Sequence, residues 1–510
     1  MNHNRVCGRL WIWLVVVILT LSACSPEIPI ALPGTPTHNV SLPTATALLP
    51  TASPIPPPSD TPLPSTTLTP TPELPTPIPT EEPQASASRL GVALEGFYDE
   101  AGWQPALALG VHWAWRWQPI DWRAVEPVEG KYHWEALAGL EEELFRTREA
   151  GVEPILTLQY APPWAQKRPP SACGPIRADK LGAFASFVEQ LIMRYGPSTP
   201  YGVRYWRIGN ELDVAPEEIG PDSIFGCWGD LDDPDYGGGY YAEMLKAVYG
   251  RAKLANPLVQ IMLGGLLLEC DPDTTVVGET CINQRRWSSG RFLEGVLRAG
   301  GGDYFDVVDV HSYAHLEAIP ARMRSFYAWS GPEGGTGLPE KVAFVRRVLS
   351  QYGYDKPILA GEIALKCDEP TPECYDAAAA FIPRVYAEAY DLNLLGAVYF
   401  ALISEFKYKG LLLPDFTPRP MYGAYQFLGR QLAGAQPEGP VADYAGLSGY
   451  SFIRPDGRRV QIVWATGGMD QTLPLPAGFA QAFDKFGAPL APVEGTLTIG
   501  WSPIYVELQP

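Results

Sequence analysis

The sequence predicts an α/β chain: a (β/α)8 barrel of the TIM type with a small C-terminal all-β domain, preceded by a disordered Pro/Thr-rich linker. Three observations predict it. Eight short, nearly continuous apolar runs lie between Gly91 and Leu402, stretches with helical periodicity separate most of them, and after Gln436 the pattern turns to short β runs with turn signals. Strands covered on both faces read as unbroken apolar runs, and parallel strands need crossover helices between them. Eight such units are the content of a closed barrel.

The N-terminal elements come first. Arg5 and Arg9 precede an apolar run from Leu10 to Leu21, which ends in small residues and Cys24. That is the composition of an export signal, here residues 1–24. Leu21-Ser22-Ala23-Cys24 resembles the bacterial lipobox, which implies cleavage before Cys24 and acylation of its thiol. A plain signal peptide and a single membrane-spanning anchor are the alternatives, and all three place the remainder outside the cytoplasm. The expectation is a lipoprotein on the surface of a bacterial membrane, touching the membrane through its lipid anchor only.

Of the 64 residues from Ser25 to Ser88, 18 are Pro, with Thr and Ser filling much of the rest. Such a segment cannot bury a core and favours extended polyproline II. At about 3.1 Å per extended residue it makes a spacer on the order of 100 Å or more in reach. The expected boundaries are 1–24 signal, 25–88 linker, 89–436 barrel and 437–510 β domain.

The predicted strands begin at Gly91, Leu107, Val152, Val203, Val259, Phe305, Pro357 and Gly396. Between them, Leu181, Phe184, Val188, Leu191 and Tyr195 recur at three- and four-residue spacing, as do Val342, Val345, Leu349 and Tyr352, marking one face of a helix each. The interval between the first two strands leaves room for only a short helix. In the C-terminal region, Pro455-Asp456-Gly457 between two apolar stretches is a hairpin signal. That domain is expected to pack on the barrel rather than to bind sugar itself.

Composition narrows the function. A formal net charge of -19 argues against sequence-independent binding of nucleic acid, which rests on clustered Lys and Arg. Neutral partners such as oligo- or polysaccharides suit it better, and nothing in the sequence specifies an oligomeric state. Apart from Cys7 and Cys24, six Cys remain: Cys173, Cys227, Cys270, Cys281, Cys367 and Cys374. In an oxidising compartment an even number reads as disulfides. Proximity suggests Cys270 with Cys281 and Cys367 with Cys374, leaving Cys173 with Cys227, one of 15 connectivities that six Cys allow. No CxxC or paired His spacing points to a metal, and no cofactor motif is present.

Barrel enzymes carry their active sites at the C-terminal ends of the strands. The fourth run ends Arg207-Ile208-Gly209-Asn210-Glu211 and the seventh ends Ala360-Gly361-Glu362, so each brings a carboxylate to the mouth. Glycosidic cleavage needs two such groups, one protonated to release the leaving oxygen and one ionised to attack carbon or activate water.

The stretch from Tyr205 to Asp213 resembles the Asn-Glu motif of glycoside hydrolase clan A, the group containing families 5 and 39. Asp309-Val310-His311-Ser312-Tyr313 resembles the clan's strand-six ending, Pro357 to Ile363 its strand seven, and Gly410 to Leu432 the stretch that closes such barrels. The resemblance implies a retaining hydrolase of β-glycosidic bonds, with Glu211 as acid/base and Glu362 as nucleophile. It implies that Asn210 holds the sugar 2-hydroxyl, that Tyr313 donates to Glu362, and that His311 lines the same subsite. Arg116 would reach the nucleophile from strand two, while Trp115 and Trp164 would line subsites. Many clan members end strand eight with Trp; here Tyr399 and Phe400 stand in that run. The competing reading is a non-catalytic glycan-binding lipoprotein on the same barrel. A peptidase finds no GxSxG or HExxH in support.

Overall fold

The protein is described from a computed structural model covering residues 88–510, apart from 220–222, 224, 274–287, 318–321, 326–328, 330–333, 442–443 and 467–468. The signal segment, Cys24 and nearly all of the linker lie outside the described residues. No described helix is long and apolar enough to cross a membrane.

Eight parallel strands close a barrel. They are β1 (Leu90–Leu94), β2 (Trp113–Asp121), β3 (Glu153–Gln159), β4 (Tyr205–Ile208), β5 (Gln260–Leu266), β6 (Val307–Glu317), β8 (Ile358–Lys366) and β9 (Ala397–Tyr399). β1 pairs with both β2 and β9, and β5 with β6, so the ring has no open edge. The remaining strand, β7 (Arg322–Ser325), folds back antiparallel on the outer end of β6.

The helices carry the periodicities that predicted them. Leu181–Tyr195 buries Phe184, Val188, Leu191 and Tyr195 toward the strands, and Leu338–Gln351 buries Val342, Val345 and Leu349. Inside the ring a separate cluster of Ala93, Trp113, Trp115, Ile155, Tyr205, Met262, Val307, Leu359 and Val398 fills the barrel. The site stands on this layer.

The second strand corrects the prediction. The run from Leu107 is not β structure until its last residue: Trp103–Leu107 is a short helix that buries Trp103 and Ala106, Gly110 turns the chain at φ +73°, and β2 starts only at Trp113. The chain spends these residues on the crossover that a parallel pair requires.

The C-terminal region forms a six-stranded antiparallel sheet ordered β10 (Gln436–Pro440), β11 (Leu447–Ile453), β12 (Arg459–Ala465), β17 (Ile504–Leu508), β14 (Phe479–Phe483) and β15 (Pro489–Leu490). A two-stranded ribbon of β13 (Gln471–Pro474) and β16 (Thr496–Ile499) accompanies it. Pro455-Asp456-Gly457 makes the β11–β12 hairpin, with Gly457 at φ +80°. The domain packs on the helices Pro372–Asp391 and Pro420–Leu432. Phe427 meets Phe483 and Tyr505, Tyr390 meets Phe452, and Arg384 donates to the Trp501 carbonyl.

Disulfides join Cys173 to Cys227 and Cys367 to Cys374, with Cα separations of 5.4 and 5.9 Å. Cys270 is also disulfide-bonded, and Cys281 lies outside the described residues.

Candidate active site

The floor of the site is an ion pair. Arg207 and Asp309, both fully buried, meet at 2.5 Å between β4 and β6, with the Arg207 guanidinium 4.4 Å from the Trp115 ring centroid. The Trp115 indole N–H donates to Thr157 at 3.0 Å. Trp115 is therefore part of the floor beneath the carboxylates, 6.4 Å from His311 ring to ring.

Glu362 owes its direction to a bulge. Along β8, Leu359 belongs to the inner cluster, so strict alternation turns Gly361 inward and Glu362 outward. The β6–β8 register instead runs Val310↔Ala360 and then His311↔Glu362, so Gly361 is one extra residue on β8. From there Glu362, Ala364 and Lys366 face in, beside His311, Tyr313 and His315 of β6. Bulges commonly re-aim a side chain in this way. Gly361 is required: a Cβ there would overlap the Asp309 carboxylate and the Arg207 guanidinium. Gly361→Ala is expected to cost about 1–3 kcal/mol as overpacking and to lower turnover by displacing Glu362. An unchanged denaturation midpoint with full activity would contradict this account of the bulge.

Glu211 stands just beyond β4, at φ +51° in the left-handed region, with its N–H bonded to the Gly265 carbonyl at 2.8 Å. A non-glycine residue held there is a local cost that the surroundings must offset. Burial raises the Glu211 pKa, opposed by Lys366, Lys409, Arg207 and Lys341.

His311 links the two acids. Its Nδ1 lies 2.9 Å from Glu211 Oε1 and 3.4 Å from Glu362 Oε1. Burial depresses its pKa to about 3, so the imidazole is neutral and these contacts are hydrogen bonds, not ion pairs. Nε2 has no hydrogen-bond partner among the described residues and sits where a Gly265 Cβ would be. An orphaned N–H is the rarer buried defect, which assigns the proton to Nδ1, facing both carboxyl groups. On the other side, the Tyr313 hydroxyl donates to Glu362 Oε2 in a short contact. Glu211, His311 and Glu362 each offer a ligand atom within 4.8 Å of the other two. That spacing could hold a divalent cation by distance alone, but the ammonium groups of Lys366 and Lys409 border the site, and both feel both Glu residues. Two added positive charges disfavour a metal there.

Asn210 Oδ1 accepts from Arg207 at 3.2 Å, which turns its NH2 toward the mouth. Three groups escaped the sequence reading. Asp213 accepts from the Leu267 and Leu268 N–H groups at 3.0 and 2.7 Å, and Lys341 Nζ donates to the Leu267 and His311 carbonyls at 2.5 and 2.6 Å. Together they fix the end of β5 against β6. Lys409, from the loop after β9, covers Tyr313 and Phe400. Asp213 closes the Asn-Glu stretch but is given no role by it, and Lys341 and Lys409 belong to no motif; the first two act through backbone groups, and a solvent-facing Lys reads the same as Lys409 in sequence.

Two expectations fail. Arg116 does not face the nucleophile: it pairs with Glu143 of the helix Leu140–Glu149 at 2.9 Å and with Gln118. Alternation explains it, since Trp115 points into the barrel and its neighbour must point out. Trp164 packs on Trp122 at 5.2 Å and donates to the Glu126 carbonyl. Its contacts are with the barrel wall, and none is with the carboxyl pair among the described residues. At the end of β9, Tyr399 is fully buried against Tyr425, while Phe400 meets Trp115 at 5.6 Å beneath Lys409.

No protein-family model matches the sequence, and no curated protein matches it. Solved structures do. A family 39 glycoside hydrolase from the gut symbiont Bacteroides cellulosilyticus WH2 aligns with TM-score 0.63 and 18% identity over 83% of this chain and 81% of that one. A glucosidase from Croceicoccus marinus aligns at 0.52 and 14%, over 84% and 96%. A monomeric beta-xylosidase from Caulobacter crescentus CB15 aligns at 0.51 and 13%, over 83% and 96%. The chain therefore shares the fold of these three structures.

Proposed function

We propose that the protein is a retaining glycosidase that cleaves β-glycosidic bonds by double displacement, acting outside the cytoplasm as a lipoprotein tethered through Cys24. The observation that carries the reading is that Glu211 and Glu362 face each other across His311 Nδ1, at 2.9 and 3.4 Å from it, with one carboxyl oxygen of each within 4.8 Å of the other. Retaining enzymes hold their carboxyl groups roughly 5–5.5 Å apart, whereas inversion needs about 6.5 Å or more to admit water.

The two environments assign the roles. Burial raises the Glu211 pKa, as a proton donor requires, while Glu362 accepts from the Tyr313 hydroxyl. Glu362 attacks the anomeric carbon, and the Glu211 proton passes to the departing glycosidic oxygen. Water then gives a proton to Glu211 as its oxygen displaces Glu362 from that carbon, restoring both groups and the original configuration. Asn210, oriented by Arg207, offers its NH2 to the 2-hydroxyl, an interaction that strengthens in the transition state. The binding-only alternative predicts carboxyl groups splayed apart or turned outward, and neither is found.

The testing experiment is a screen of the purified protein against aryl β-glycosides and common polysaccharides, with the anomer of the first product read by NMR. Turnover with retained configuration is expected. Glycan binding with no turnover, or an inverted product, would overturn the reading. His311→Ala frees both carboxyl groups from their shared donor and should lower kcat by about 10²- to 10³-fold, as for other preorganised electrostatic contacts. A kcat within threefold of wild type would reduce His311 to barrel filling.

A further inference from the structure

The left-handed backbone of Glu211, at φ +51°, is a conformation that its surroundings must hold in place. The peptide unit in front of it, from the Asn210 carbonyl to the Glu211 N–H, governs that angle and is anchored at both ends. Its N–H donates to the Gly265 carbonyl of β5 at 2.8 Å, and its carbonyl accepts from the Gly226 N–H at 2.9 Å. The first anchor belongs to the barrel. The second belongs to the connection between the helices Pro216–Ile219 and Gly238–Ala255.

That connection is tied down next to its anchor by the buried bridge from Cys227 to Cys173. Gly226 and Cys227 are consecutive left-handed residues, at φ +80° and +82°, and only glycine adopts this region at little cost. The Cys227 N–H donates to the Val214 carbonyl at 2.8 Å and the Trp228 N–H to the Leu212 carbonyl at 3.1 Å, so the segment lies along the turn that carries Glu211. The fit is close: a Cβ on Gly226 would come within 3.3 Å of the Glu211 carbonyl oxygen. Cys173 belongs to the loop after β3, which is closed by the Ala161 N–H on the Ala172 carbonyl at 2.8 Å. Arg168 of that loop also pairs with Asp230 at 2.9 Å. The bridge therefore ties the Gly226 donor to a second strand end, apart from β4 and β5.

Resting on the retaining-glycosidase reading, we propose that the Cys173–Cys227 disulfide positions the acid/base: it holds Gly226 against the Asn210 carbonyl and so fixes the direction of the Glu211 carboxyl group. Both cysteines are positioning residues, which act through backbone and touch no reacting atom. Their effect falls mainly on Glu211, because Glu362 is aimed from β8 by the bulge at Gly361 and held by Tyr313. A general acid must reach the leaving oxygen within hydrogen-bond distance. A small rotation of the peptide unit before Glu211 thus weakens proton delivery and leaves the attack of Glu362 intact.

The test compares the wild-type chain with Cys173→Ala/Cys227→Ala and with Cys173→Ala/Cys227→Gly, in which glycine takes the left-handed angle freely once the bridge is gone. Each is assayed on two aryl β-glycosides of the sugar that the screen above returns, a 4-methylphenyl glycoside, whose leaving group needs a proton, and a 2,4-dinitrophenyl glycoside, whose leaving group does not. In parallel, 13C NMR of glutamate-labelled protein follows the Glu211 carboxyl signal, identified by its absence from Glu211→Gln. Without the bridge, kcat/KM on the 4-methylphenyl glycoside should fall by about 10- to 100-fold and that on the dinitrophenyl glycoside by less than about threefold, as for a misplaced catalytic group. The Glu211 signal should move. Equal losses on the two glycosides would show that the bridge supports only the fold, and no loss on either would free Glu211 from it; each overturns the proposal and leaves the glycosidase reading intact. So does failure of both variants to fold. If the wild type turns over nothing, the glycosidase reading fails, and the NMR still decides: a Glu211 signal indifferent to the bridge removes the coupling.

Discussion

Glu362→Ala is expected to lower kcat by roughly 10⁴- to 10⁶-fold, the range seen when a covalent nucleophile is deleted. The barrel should remain folded, because Glu362 spans no strands: its contacts are with Tyr313 and His311 inside the mouth. Removing it leaves a small void lined by the Tyr313 hydroxyl and His311 Nδ1, next to Lys409. A small anion such as formate or azide fits that void and can attack the anomeric carbon from the side that Glu362 occupied. Addition of azide should restore part of the turnover on an activated aryl glycoside, with a glycosyl azide of inverted configuration as product. A variant that keeps kcat within tenfold of wild type, or an azide product of retained configuration, would remove Glu362 from the nucleophile's place.

The barrel was legible because its evidence is repetitive. Seven of the eight predicted runs lie along strands of the ring and the eighth meets its strand only at Trp113, and the helices between them show the spacing of buried residues directly in sequence. The failure at Leu107 has a local cause: Leu107, Leu109 and Val111 look the same whether a short helix and turn or a strand consumes them, and only Gly110 hints at the turn. The site was legible where a residue's role follows from its strand end, as for Glu211, and harder where orientation decides. Alternation from Trp115 sends Arg116 outward, a conclusion available only once the start of β2 is known. Glu362 faces inward against alternation because of the bulge at Gly361, and a glycine beside a strand-end acid was the one sign of it. Lys409 could not be found at all. Its place over the rings of Tyr313, Phe400 and Phe406 is a property of folded loops, not of the Tyr408-Lys409-Gly410 sequence.

Glu211→Gln separates the two steps of the proposed reaction. Gln cannot donate a proton to the leaving oxygen or take one from water, so kcat on natural or poorly activated glycosides should fall by about 10²- to 10⁴-fold, the usual share of general acid–base catalysis. With a leaving group that needs no proton, the glycosylation step survives and the loss should shift to deglycosylation, where azide again bypasses the missing base. Here the product should retain configuration, because azide attacks the glycosyl-enzyme opposite Glu362; the contrast with Glu362→Ala distinguishes the two carboxyl groups. The pH profile carries the same information. Burial raises the Glu211 pKa, and the acid must be protonated to act, so wild-type kcat/KM should fall as pH rises through that pKa, and Glu211→Gln should lose this alkaline limb. Stability must move in the opposite sense. A carboxyl group whose pKa is higher folded than unfolded favours the folded state when protonated and weakens it increasingly as pH rises above the unfolded value of about 4.3. Glu211→Gln should therefore be more resistant to unfolding than wild type near pH 7, with the difference vanishing below about pH 4. A variant that is inactive yet less stable at neutral pH would show that the loss came from the fold, and the acid/base assignment would fall with it.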